Sequence, residues 1–249
     1  MTTRRLGLRV GLLGLGTIGR QVADGILAGR AGDVELCAVL TRRQRDQSEV
    51  AAPLMSELAA FLSTAPRVVL EAASAEAVTA YAEPILASGV DLVVVSTAGL
   101  VDADLRTRLE AVCQHSGARL YVAAGALAGV DALAAAAVGG LDEVALRVVE
   151  PGVERGDVYV GSALAGASQF PGRLNVAVTA ALVARADVPV TLVEEPGEGR
   201  HEIELTARGV FGEFCARMRP RPRVDQLSHI VALSLLATLR RLQQPLQIG

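Results

Sequence analysis

Apolar and polar positions fall into blocks along the first half of the chain, and the period of the blocks switches in a regular order. Residues 8–13 (LRVGLL) are a short apolar run of the kind that forms a strand buried on both faces. An amphipathic helical pattern over 18–28 follows, then a second apolar run at 34–40 (VELCAVL). The spacing next predicts a helix over roughly 48–62, a strand over 67–71, a helix over 75–87 and a strand over 91–95. A helix over 102–115, with Asp102 as its cap, and a strand over 120–123 complete the series. Alternating strands and helices with apolar strands predict a doubly wound parallel sheet of Rossmann type. Right-handed crossovers place the ligands of such a sheet at the carboxyl ends of its strands.

The rhythm changes near residue 124. A short alanine-rich helix over 131–138, with Asp131 as its expected cap, leads into strands at 144–150 and 157–162. Helices over 163–169 and 175–184 are separated by Pro171-Gly172, and strands follow at 188–193, 201–206 and 210–218. Strand after strand predicts an antiparallel or mixed sheet in a second, smaller α/β domain. Arg219-Pro220-Arg221-Pro222-Arg223 reads as a stiff linker, and 226–242 as a long amphipathic helix carrying Leu227, Ile230, Leu233, Leu236 and Leu239. The expected division is a dinucleotide-binding domain over 1–123, to which a C-terminal helical segment, 225–249, returns. A domain over 124–224 would serve substrate, catalysis and dimerisation.

Composition narrows the function classes. Apolar residues make up 51% of the 249 and charged residues 20%, which suits a sizeable core and excludes disorder. A net charge of −3 argues against nucleic acid as a partner. No apolar run is long and charge-free enough to span a bilayer. The first residues resemble a secretory leader in outline, but their apolar part is a glycine-rich turn and no small-residue cleavage site fits without destroying the strand; a cytoplasmic location is expected. Cys37, Cys113 and Cys215, like His115, His201 and His229, are too scattered for a disulfide framework or a metal site. His115 and His229 read as structural. The chain contains no lysine, which removes Schiff-base chemistry and a lysine base, and Asn175 is its single asparagine.

Candidate chemistry starts at the first turn. Gly14, Gly16 and Gly19 have the spacing of a dinucleotide fingerprint between a strand and a helix. The helix opening at Thr17 and Ile18 would aim free N–H groups at a diphosphate, so NAD or NADP is the expected cofactor. After the second strand an NAD site usually offers an acid to the ribose; here stand Thr41, Arg42 and Arg43. Arginine can accept a 2′-phosphate, and equally can simply be solvated. The loops Glu71-Ala72-Ala73-Ser74 and Ser96-Thr97-Ala98-Gly99 fall at other strand ends, and Ala73, Ser96 and Thr97 are assigned to the cofactor. Glu71 would orient a ribose or cap the next helix. Asp131 would meet a substrate amine or cap its helix, and Ser162 would cap a helix or donate to an anion. His201 opens the alternating run HEIEL on the face of Ile203, and is an acid–base candidate or a structural histidine.

The order of these motifs resembles the L-aspartate dehydrogenase family nearly end to end. The carriers are Gly14-Leu15-Gly16-Thr17-Ile18-Gly19, the loops at Glu71 and Ser96, Gly125-Ala126-Leu127-Ala128-Gly129-Val130-Asp131, Phe170-Pro171 with Leu174-Asn175-Val176-Ala177, and His201-Glu202-Ile203-Glu204. The resemblance implies a homodimer that oxidises L-aspartate reversibly to iminosuccinate with NAD or NADP, a reaction that can feed NAD biosynthesis. It implies that His201 is the active-site residue and that Ala126 and Asn175 contact the cofactor near its nicotinamide. Arginines would then hold the substrate carboxylates, with Arg173 and Arg200 as nominees. Where the family carries an Asn-Pro-Lys-Thr-Ser run, this chain has Val224-Asp225-Gln226-Leu227-Ser228, which widens the expected substrate to a close amino-acid analogue. The alternatives are a reductase of another imine or semialdehyde, and a dinucleotide sensor with an eroded active site.

Overall fold

The computed structural model describes residues 7–42, 46–197, 201–220 and 228–246. The chain divides into two compact units that meet in sequence after Ala123, and the last helix belongs to the first of them.

The first unit is built on six parallel strands: β1 (Leu8–Leu13), β2 (Val34–Leu40), β3 (Leu54–Met55), β4 (Val68–Glu71), β5 (Asp91–Val94) and β6 (Leu120–Val122). Their spatial order is β3-β2-β1-β4-β5-β6, and every adjacent pair is parallel. The strands are apolar because helices cover the sheet; Val10, Leu12, Val39, Val69, Leu70 and Val93 are fully buried. The crossover helices are α1 (Thr17–Leu27), α2 (Leu58–Ser63), α3 (Ala75–Ala87) and α4 (Ala103–Ser116). The Asp102 side chain caps α4 by accepting from the Asp104 N–H at 2.9 Å, as its position predicts. Strand order reverses between β1 and β4, which makes their carboxyl ends the switch point of the sheet.

One helix predicted from the pattern is absent. Residues 48–62 form a 3-10 turn at Gln47–Glu49, then β3, then the short α2. Pro53 cannot donate a backbone N–H and forces the residue before it out of the helical region. Its carbonyl instead accepts the Val39 N–H at 2.9 Å, so the segment joins the sheet edge.

The second unit carries a mixed five-stranded sheet in the order β11-β10-β7-β9-β8. The strands are β7 (Leu141–Gly152), β8 (Gly156–Ser162), β9 (Pro189–Pro196), β10 (Glu202–Gly209) and β11 (Gly212–Met218). β7 and β9 run parallel and the other pairs antiparallel. Helices α5 (Val130–Gly139), α6 (Ala163–Gln169) and α7 (Asn175–Ala184) pack on this sheet over Leu146, Val148, Val190, Leu192 and Leu205. Ser162 is the cap of α6 and accepts from the Ala165 N–H, which settles its two readings in favour of structure. Asp131 is not a cap. Gly129, in a left-handed conformation, holds that position, and Asp131 stands in the first turn of α5, where its charge suits the helix dipole.

The last helix, α8 (Ile230–Gln243), starts later than 226, and residues 221–227 lie outside the described set. His229 therefore precedes the helix, and its Nδ1 accepts the Val231 N–H at 3.3 Å. α8 buries Ala232, Leu235, Leu236 and Leu239, and Gln243 Nε2 donates to the Ala31 carbonyl at 2.8 Å, tying the helix to the first unit. No helix among the described residues is long and apolar enough to cross a membrane.

Candidate functional site: a nucleotide cleft at the switch point

The turn after β1 is shaped by its glycines. Gly14 has φ +98°, and a Cβ there would lie 2.7 Å from the Ala73 Cβ and 2.8 Å from the Ala72 carbonyl oxygen. Its N–H donates to the Leu40 carbonyl at 2.9 Å, which binds the turn to β2. At Gly19 a Cβ would stand 2.2 Å from the Gly14 carbonyl oxygen, so only glycine lets α1 pack this closely on the turn. At Gly16 a Cβ would meet nothing within 4 Å, so open space lies beside the backbone here. Gly16 is also the N-cap of α1 and has no side chain to occupy the first-turn N–H groups of Thr17, Ile18 and Gly19. A diphosphate fits this cradle: there is room at Gly16, donors are on offer, and the positive end of the helix dipole faces them.

A cleft of about 250 Å³ opens beside the turn. Gly14, Gly16, Thr41, Arg42, Ala73 and Ser74 are among its lining residues, drawn from the ends of β1, β2 and β4. The structure thus brings Gly14, Gly16, Arg42 and Ala73 to one place, with Thr17, Ile18 and Gly19 in the adjoining helical turn. Ser96 and Thr97 do not line the cleft. The Ser96 hydroxyl is taken by Glu71, and Thr97 is fully buried at the start of a 3-10 turn. Arg43 lies outside the described residues.

Glu71 is the residue whose role sequence reasoning missed. It is 0% exposed and holds neither a ribose nor a helix cap. Oε1 accepts the Ala73 N–H at 2.7 Å and the Ser96 hydroxyl at 2.8 Å; Oε2 accepts the N–H groups of Val95 at 3.1 Å and Ser96 at 2.9 Å. One carboxylate therefore ties the loop after β4 to the loop after β5. Burial pushes its pKa up, against the pull of the four donors. The signal available in sequence was an acid closing an otherwise apolar strand.

The other predicted residues belong to the second unit. Ala126 is half-buried in the turn that leads to α5, and Asn175 is the half-buried first residue of α7. His201 is exposed and immediately precedes β10. Next to it, Glu202 is buried and paired with Arg219 and Arg217. Arg173 is not a free carboxylate anchor. Its guanidinium binds Glu150 at 2.5 Å and Glu194 at 2.9 Å and lies 5.8 Å from the Phe170 ring centroid. Burial works against its charge, but the two carboxylates outweigh that and raise its pKa. Arg200 lies outside the described residues.

A six-stranded parallel sheet with a glycine cradle at its switch point, followed by a mixed-sheet unit, defines a two-domain dinucleotide-binding protein of the Rossmann class. Residues 14–123 match the family model of the homoserine dehydrogenase NAD-binding domain, and residues 131–242 that of the aspartate dehydrogenase C-terminal domain. The chain is 36% identical over 245 residues to an L-aspartate dehydrogenase of Archaeoglobus fulgidus, covering 96% of this chain and 99% of the relative. It is 34% identical to L-aspartate dehydrogenase 2 of Bordetella pertussis, covering 94% and 96%. The chain belongs to the L-aspartate dehydrogenase family. In fold it also matches the crystal structure of aspartate dehydrogenase from Thermotoga maritima, with a TM-score of 0.80 and 24% identity over 97% of this chain and 99% of the other.

Proposed function

We propose that this protein is an NAD(P)-dependent dehydrogenase that oxidises the CH–NH₂ group of L-aspartate, or a close amino-acid analogue, to the imine and catalyses the reverse reductive amination. The observation that carries the reading is the open, glycine-built cradle at the switch point in a chain that aligns end to end with L-aspartate dehydrogenases. A nicotinamide bound here would supply the hydride acceptor for oxidation at the substrate α-carbon and the hydride donor for the reverse. The chain's own contribution in the first unit is positional: the α1 N-terminus and the Gly14–Gly16 backbone hold the diphosphate, and Ala73 and Arg42 flank the adenosine end. Ala126 and Asn175 are assigned to the nicotinamide end by likeness to the family.

His201 is proposed as the acid–base group. Oxidation of the amine to the imine releases a proton along with the hydride, and an imidazole exchanges protons near neutral pH. Its solvent exposure supports proton exchange with water. The substrate carboxylates need cationic partners, and without lysine these are arginines. With Arg173 held by two glutamates, Arg200 beside His201 in sequence is the remaining nominee. A homodimer in the cytoplasm is proposed from the family resemblance, and sedimentation would test the assembly.

The deciding experiment follows NADH and NADPH oxidation with oxaloacetate and ammonia. Turnover that requires ammonia is expected, and His201→Ala should lower kcat by about a hundredfold or more, the scale of a positioned acid–base group. Retention of full kcat by that variant removes the histidine assignment, and absence of ammonia-dependent turnover removes the substrate reading.

A further inference from the structure

The cofactor cleft carries more information than its glycines, because the end that meets the adenosine ribose is built for one charge. We infer that the cleft at the end of β2 is a subsite for a 2′-phosphorylated adenosine ribose, with Arg42 as the residue that makes the protein prefer NADP to NAD. The inference rests on the proposed function and deepens it.

The chemistry of discrimination is simple. A ribose with two free hydroxyls is recognised by a carboxylate at this point, which accepts from both, whereas a 2′-phosphate is repelled by a carboxylate and held by a guanidinium. β2 here runs out through Leu40 to Thr41 and Arg42, and no aspartate or glutamate is among the residues lining the cleft. Arg42 is the charged residue of that lining, and it is exposed at the mouth.

The guanidinium is also available. Among the described residues Arg42 makes no hydrogen bond or ion pair, whereas Arg20 is paired with Glu49, and Arg106 donates to the carbonyls of Leu100 and Val101 at 2.6 and 2.8 Å. The acid that feels its charge is Glu76 in the first turn of α3. The Glu76 carboxyl is held below its usual range chiefly by a hydrogen bond with Ser74, with a smaller contribution from Arg42. Both groups stand in solvent, where such a pairing is weak, and a phosphate dianion would displace it.

The surroundings of Arg42 favour the same anion. Thr41, Ser74 and Tyr81 are the hydroxyl residues of the lining, and the Ser74 hydroxyl is already engaged by the Ala77 N–H and the Glu76 carboxyl. Ser74 is the N-cap of the 13-residue α3, so the positive end of that helix faces the same space. A guanidinium fork beside a helix N-terminus suits a phosphate, and no carboxylate in the lining supplies the paired acceptor that usually holds a bare ribose.

The test is calorimetric titration of the purified full chain with NADP and NAD, and with the half-ligands 2′,5′-ADP and 5′-AMP, which differ only in the 2′-phosphate. Wild-type protein should bind NADP and 2′,5′-ADP at least about tenfold more tightly than their partners, the scale of charge-assisted phosphate contacts. Arg42→Ala should collapse both ratios toward one, and Arg42→Lys should keep part of them because it retains charge without the fork. A thermal melt near wild type shows that the variants are folded. Equal or tighter binding of NAD by wild type, or ratios that stay within twofold in Arg42→Ala, overturns the inference and leaves the dehydrogenase reading standing. Failure of wild type to bind either dinucleotide overturns that reading as well.

Discussion

Replacing Glu71 by glutamine is the sharpest probe of how the cleft is held. The change keeps size and shape and alters one oxygen to an NH₂. Each carboxylate oxygen accepts two donors, so the new NH₂ faces donors whichever way the amide turns. In the better orientation the Ser96 hydroxyl rotates to accept, and the N–H of the exposed Ala73 alone loses its partner. A hydrogen bond to a charged group contributes about 1.5–3 kcal/mol, part of which water restores at the exposed Ala73, and the remaining bonds lose their charge assistance. Removal of a buried charge offsets part of this. The expected net destabilisation of the first unit is about 1–3 kcal/mol, read from urea denaturation monitored by amide exchange at Ala73, Val95 and Ser96. Glu71→Ala, which orphans three backbone N–H groups and opens a cavity, should cost about 4 kcal/mol or more.

The pH dependence carries a sign. Burial raises the folded-state pKa of Glu71 above its unfolded value. Its contribution to stability is therefore fully present below the ordinary carboxyl range and is lost as pH rises through the raised folded value. Glu71→Gln should remove that segment of the stability–pH curve. If the neutral acid were the native species at neutral pH, glutamine would mimic it. Stability within about 0.5 kcal/mol of wild type at pH 7, with unchanged exchange at Ala73, would refute the anionic latch.

Three further outcomes follow from the packing. Gly19→Ala places a Cβ 2.2 Å from the Gly14 carbonyl oxygen, so α1 must move off the turn; a cost of about 1–3 kcal/mol in a thermal melt and at least about tenfold weaker dinucleotide binding in calorimetry are expected. Arg173→Gln strips Glu150 and Glu194 of their shared cation, and the second unit should lose about 1–2 kcal/mol in urea denaturation, less in high salt. Asp102→Ala removes the cap of α4 and should cost about 1 kcal/mol, measured by thermal melt.

The parallel sheet and the glycine cradle were legible because their signals are local: apolar runs of strand length, and three glycines between a strand and a helix. Asp102 was legible as a cap for the same reason, whereas Ser162 stayed open between cap and anion donor until the structure placed it at the start of α6. Glu71 was not, because Val95 and Ser96 come from the loop after β5, 24 and 25 residues further on, and no local pattern announces that meeting. The helix read over 48–62 failed because apolar spacing was counted through Pro53, whose missing donor decides the matter. Arg173 was visible as a cation, but its glutamates sit on β7 and β9, so sequence alone could not show that its charge is already matched. Asp131 was misplaced by one turn feature, since Gly129 takes the capping position through a left-handed backbone that no side-chain signal marks.

The anchoring of α8 on the first unit has a consequence for biosynthesis. The nucleotide-binding layer is not complete when its six strands have emerged from the ribosome; it lacks the apolar face of Leu235, Leu236 and Leu239 and the Gln243 amide until α8 has emerged as well. The mixed-sheet unit is made in between and can close on itself first. Maturation of the first unit therefore waits for residues 230–243, and nascent chains stalled before residue 230 should expose that unfinished surface to chaperones and proteases.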